Sequence, residues 1–203
     1  MSWQPIFDNC ANLQVEYRPQ VAQTQTRSGV VRSVDRGNAF WRYTVTMPNG
    51  VPWEEEFRTV IAGYTIKDRL NSDTVNFANT GFSWMFPYRG DETNIANVRI
   101  NVLSNQFTFA TGVTITSGNV FLAGDLIQPV GGRVYMVTQN VAWNDTVIPT
   151  HRPPVDETAG TYDLRVGGDC QHTVICTSLP NWYYVERNQV AWDGSFVFQE
   201  VLT

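Results

Sequence analysis

The chain has 203 residues, 42% hydrophobic and 13% aromatic, enough apolar material for one domain or two small ones and too much for a disordered chain. With 14 Lys and Arg against 19 Asp and Glu the formal net charge is −5, the wrong sign for a protein that holds nucleic acid by neutralising phosphates. No run reaches the roughly 18 apolar residues of a membrane span, and Met1 to Asp8 lacks the basic and apolar regions of a leader, so a soluble, unexported product is expected.

From Arg27 to Met47 the sequence reads as a hairpin. Val30 and Val31 are followed by turn chemistry at Asp35 to Asn38, and then Trp41, Tyr43, Val45 and Met47 alternate with Arg42, Thr44 and Thr46, one apolar face and one wet. Pro48-Asn-Gly50 stops that strand. Trp53, Phe57, Val60, Ile61 and Tyr64 then recur at helical spacing, with Pro52 in a first-turn position and Glu54 to Glu56 complementing the helix dipole, which predicts one amphipathic helix over 52–67.

Short strand-type runs follow at Gly81 to Pro87, Asn97 to Val102, Gln106 to Phe109 and Val113 to Thr116, the spacing of a sandwich or small barrel. Between Phe121 and Thr138 two apolar strands flank Gly131-Gly132, a hairpin in which glycine supplies positive φ. Pro149, Pro153 and Pro154, with the polar stretch to Gly160, are the best linker. Strand pattern resumes at Tyr162 to Val166, Thr173 to Cys176, Trp182 to Val185 and Ser195 to Val201.

Chemistry-bearing clusters are sparse. Cys170, His172 and Cys176 share a nominal strand face, but a zinc site needs a fourth ligand and a turn between the cysteines; small reduced thiols and one imidazole are the plainer reading. Asp91-Glu92 and Glu54 to Glu56 offer neighbouring carboxylates of the kind a glycosidase uses, yet a loop and a helix start account for both. Gly124-Asp125 reads as a turn whose carboxylate caps backbone amides. No catalytic residue, metal ligand or cofactor site is assigned. Trp182, Tyr183, Tyr184 and Trp192 could stack sugars, but Trp and Tyr are enriched at interface centres, which favours core and interface.

Three stretches in order, Thr24 to Pro48, Leu122 to Gln128 continuing through Arg133 to Thr138, and Val190 to Val201, resemble the tail or baseplate structural proteins of contractile-tailed and related bacteriophages. Shared features are a basic turn running into a Trp-Arg strand, a proline-headed helix, an Ala-Gly-Asp strand and a Val-Tyr-x-Val-Thr strand; the acidic run after Pro52 is a departure. The resemblance implies a non-enzymatic virion component made in the host cytoplasm, a ring-forming adapter near the distal tube. Its partners would be copies of itself and tube, sheath, hub or baseplate proteins, with DNA passing unbound and no membrane contact. The expected architecture is mainly β: a tail-tube-like β-sandwich with one amphipathic helix (1–79), an inserted small β-barrel (80–156) and C-terminal strands completing the first domain (157–203). Arg27, Arg32, Trp41, Arg42, Trp182, Tyr184 and Trp192 are the candidate interface residues. A carbohydrate-binding sandwich and a small cell-wall hydrolase are the alternatives.

Overall fold

The computed structural model describes residues 3–18, 21–25, 29, 31–35, 39–53, 58, 71–186 and 188–201. The protein is mainly β and divides into two compact units, residues 1–73 with 173–203, and residues 74–172. A short helix, α1 (Gln4–Asp8), precedes β1 (Asn12–Arg18), β2 (Val21–Gln25), β3 (Val31–Asp35), β4 (Phe40–Thr46) and β5 (Val51–Pro52). The chain enters the second unit through β6 (Asp73–Val75) and there forms β7 (Arg99–Leu103), β8 (Gln106–Thr111), β9 (Asn119–Phe121), β10 (Leu126–Pro129), β11 (Tyr135–Met136), β12 (Val141–Ala142) and β13 (Gly160–Val166). It returns through β14 (His172–Ser178) and ends with β15 (Asn181–Glu186), β16 (Gln189–Asp193) and β17 (Phe196–Glu200).

In the first unit β4 is an interior strand, lying between β1 and β17. It pairs antiparallel with β1 from Asn12↔Thr46 to Arg18↔Phe40 and with β17 from Phe196↔Val45 to Gln199↔Arg42, and β17 pairs in turn with β14. The alternation read from the sequence holds: Trp41, Tyr43, Val45 and Met47 are buried, while Arg42, Thr44 and Thr46 are half-buried. Phe7 of α1 lies 6.0 Å from the Tyr43 ring and 4.9 Å from Phe198, and Trp3 meets Phe198 edge-on at 5.1 Å. Each such buried aromatic contributes on the order of 1.5–3 kcal/mol through the area it removes from water. Nothing in the first eight residues beyond Pro5 near the helix start announces α1.

The expected Arg27 to Met47 hairpin is replaced by two separate pairings. β3 pairs with β2, from Val21↔Asp35 to Gln25↔Val31, and β4 pairs with β1. Leu13, Val15 and Tyr17 of β1 oppose Val45, Tyr43 and Trp41 residue for residue, a cross-strand match that fixes the register over seven pairs. In the predicted helix, residues 54–57 and 59–67 lie outside the described residues. Pro52 itself belongs to β5, opposite Gln189.

The second unit is built on a sheet in the order β11-β10-β13-β7-β8. Isolated bridges Phe107↔Ile148 and Val137↔Thr150 lay the segment 148–150 beside both ends of that sheet and curl it into a half-barrel. Its core holds Val98, Ile100, Val102, Phe107, Val120, Phe121, Ile127, Tyr135, Val137, Val141, Ile148 and Leu164. The Gly131-Gly132 hairpin is present, with Leu126↔Met136 and Ile127↔Tyr135 as its pairs, Gly131 at φ +86° and the Gly132 amide donating to the Pro129 carbonyl at 2.8 Å. β13 lies beyond the proline linker, in the stretch whose strands are expected to close the first domain. It sits instead between β10 and β7, because Gly160 to Asp163 complete the β7 ladder.

Two expected strands are absent. Gly81 to Pro87 forms turns and a 3-10 segment over Ser83–Met85, started by Thr80, whose hydroxyl oxygen accepts from the Phe82 amide at 3.2 Å. Val113 to Thr116 is not in a ladder because the Thr114 and Ile115 amides donate to the Glu92 carboxylate.

Candidate functional site, an exposed aromatic sheet edge

The second sheet of the first unit has the order β15-β16-β5. β15 and β16 pair through Asn181↔Asp193, Trp182↔Trp192, Tyr183↔Ala191 and Tyr184↔Val190, with a bulge between Tyr184 and Glu186. Asn188 in the connecting turn takes φ +62°, which Asn tolerates, and its carbonyl accepts the Trp53 amide at 2.7 Å. Val190, Ala191 and Trp192 of β16 are all buried, so both faces of that strand are covered. In contrast, every residue of β15 is exposed, with Trp182 at 38%, Tyr183 at 52%, Tyr184 at 64% and Val185 at 53%.

Strand alternation puts Trp182 and Tyr184 on one face and Tyr183 on the other. On the first face the hydrogen bond to Asn188 brings Trp53 alongside, its ring 5.1 Å from Trp182 and 6.0 Å from Tyr184, and Trp182 meets Tyr184 edge-on at 5.5 Å. Among the described residues no strand lies on the outer side of β15. Sheet edges are ordinarily guarded by charge, proline or a bulge. Here Pro180 and the bulge bound the segment, and Asn181 to Val185 carries no charge. The arrangement is a row of outward-facing backbone amides and carbonyls framed by apolar side chains, suited to receiving another strand.

Of the seven candidate interface residues, Trp182 and Tyr184 are at this edge. Trp192 supports it from the neighbouring strand, and Trp41 packs in the core 5.1 Å from Tyr17 with its amide donating to buried Glu200 at 3.1 Å. Arg42 is half-buried on the wet face of β4 opposite Glu16. Arg32 falls in β3 opposite Thr24, and Arg27 lies outside the described residues. By its helical spacing Trp53 is expected on a helix face. The strand-like Val51-Pro52 pair just before it was the available sign that Trp53 belongs beside β15.

Glu54 to Glu56 lie outside the described residues, and the other carboxylates, thiols and imidazole weighed for chemistry have structural partners. Glu92 is buried, and its carboxylate accepts from the Thr114 hydroxyl and amide, both at 2.6 Å, the Asn94 amide at 3.0 Å and the Ile115 amide at 3.2 Å. Burial alone raises a carboxyl pKa, but these donors outweigh it and hold Glu92 down to about 2, the opposite of what a general acid needs. Asp91 accepts from the Asn119 amide at 2.8 Å. Asp125 caps the Leu122 amide at 2.9 Å, as its turn predicted, with Arg89 3.4 Å away. Cys170 and Cys176 are buried thiols outside any disulfide, the Cys176 thiol donating to the Ser178 carbonyl at 3.3 Å; Cys170 precedes β14 rather than lying in it. His172 is buried edge-on to Phe77 at 5.3 Å. Among the described residues no group of three or more His, Cys, Asp or Glu is arranged to hold a metal ion, and no helix is long and apolar enough to cross a membrane.

A scan against protein-family models finds no match to the chain, and a search of curated proteins finds no similar one.

Proposed function

We propose that this protein is a non-enzymatic structural subunit of a bacteriophage tail, a ring-forming adapter near the distal tube or baseplate that contributes to the DNA conduit. The observation that carries the assembly reading is β15, an uncharged aromatic strand exposed along its whole length at the edge of a sheet whose next strand is buried on both faces. A strand of this kind gains main-chain hydrogen bonds and apolar burial by meeting another sheet edge. The placement in a tail rests on the sequence resemblance, and the net charge of −5 fits a wall along which DNA slides without being held.

The test is immunogold labelling of tailed particles produced from a genome encoding this chain. Label at the distal end of the tail is expected; particles without label, or label on the capsid, would overturn the reading.

The Trp53, Trp182 and Tyr184 cluster also favours a second reading, a sugar-stacking surface at a tail tip. Replacing Trp182 and Tyr184 together by alanine separates the two. Loss of glycan retention with assembly intact supports the sugar surface, and loss of assembly supports the subunit.

A further inference from the structure

We infer that in the free protein the outer edge of β15 is covered by β15 of a second copy, the two strands pairing antiparallel about a twofold axis through Tyr183. This rests on the assembly reading and deepens it by naming what occupies the edge before other tail components do. The unpaired amides and carbonyls of an exposed strand template further pairing, and a twofold contact is the arrangement that ends the process at two chains.

The register follows from symmetry and sequence. A twofold axis normal to the sheet keeps each face continuous, so directly opposed residues must share a face and differ by an even number of positions. That leaves three central residues within the apolar stretch. Centring on Trp182 sets Tyr184 against the partner's Pro180, which has no N–H to give. Centring on Tyr184 sets Trp182 against the partner's Glu186 and carries the ladder through the bulge between Tyr184 and Glu186. Centring on Tyr183 sets Tyr183 against its own copy and Trp182 against the partner's Tyr184, three pairs that stop short of the bulge at Val185.

The Tyr183-centred register has further support in charge and packing. Two chains of net charge −5 repel, yet here no charged side chain faces another across the ladder, because each Glu186 lies beyond it at opposite ends. It also extends the aromatic face: the Trp182 and Tyr184 side chains already gathered with Trp53 at 5.1 and 6.0 Å gain a symmetric pair of aromatic neighbours. The ladder spans only Trp182 to Tyr184 before it meets the bulge, a small contact by the standard of stable interfaces, so the dimer forms with rising concentration.

The experiment uses the full chain carrying Cys10→Ser, since Cys10 is half-buried and the other two cysteines are buried. Under mild oxidation Tyr183→Cys is expected to give a disulfide-linked dimer on non-reducing gels, whereas Tyr184→Cys alone is not, and the Trp182→Cys, Tyr184→Cys double variant is. Light scattering should show the unmodified chain rising toward twice its monomer mass with concentration. Tyr183→Lys, which opposes two cations at the axis, should stay monomeric with unchanged circular dichroism. A chain that is monomeric at every concentration, or that cross-links as well through Tyr184→Cys alone, overturns the inference. Tail labelling with a monomeric free chain would sink the dimer alone, and a cross-linked dimer with no tail labelling would sink the tail reading alone.

Discussion

Glu92 shows how one carboxylate can replace a strand. It collects three amides and a hydroxyl, and in doing so draws Thr114 and Ile115 out of any ladder. In the unfolded chain its pKa is near the ordinary 4.5, and in the fold about 2, so between those values the unfolded chain binds more protons. Its stabilisation is therefore complete above pH 4.5 and lost as pH falls toward 2. His151 and His172 act over a higher window. Burial first, and then the neighbouring Arg152 charge, lower them from 6.5 to about 4 and about 3, so stability starts to fall below pH 6.5 as the unfolded imidazoles take up protons. Glu92→Gln sets an NH2 against backbone donors and is expected to cost about 3 kcal/mol at neutral pH in urea unfolding. The gap to the parent should close as pH falls from 4.5 to 2; a constant gap would show that the charge is not what holds the segment.

Among the strands, β17 and β15 are opposites made from similar residues. Phe198 of β17 is fully buried between Trp3 and Phe7, and Phe198→Ala is expected to cost about 3–5 kcal/mol. Tyr184→Ala in β15, exposed on its edge, should change the stability of the monomer by less than about 1 kcal/mol. Chemical denaturation of the two variants measures the contrast, and equal losses would mean that β15 is part of the core. Both strands were legible as strands from their aromatic and β-branched content, but which is core and which is edge was not. That depends on the neighbouring strand, and β16 separates the two in sequence while flanking only one of them. The same limit explains the β3 and β4 reading: each strand was visible, and the partners chosen, β2 and β1, were set by long-range register. Local chemistry was read best where the contact is itself local, as in the Asp125 cap and the Gly131 turn.

For the molecule as a whole, the second unit is continuous in sequence, from Thr74 to His172, and has a hydrophobic core of its own. Residues 74–172 expressed alone are therefore expected to be soluble and to unfold in a single cooperative transition, followed by circular dichroism; a fragment with no transition would show that the core is not self-sufficient. The first unit, by contrast, is assembled from residues 1–73 and 173–203, and β4 is made well before β17, one of the two strands it pairs with. About 150 residues separate Thr46 from Phe196, which at roughly 5–20 residues per second puts about eight to thirty seconds of translation between them. During that interval the half-barrel can finish folding as it leaves the ribosome, while the edge of β4 that pairs with β17 is still open. The newborn polypeptide is thus most vulnerable to chaperone capture or clumping just before residues 173–203 appear, and a stop codon there would leave a folded insert attached to an unfinished host.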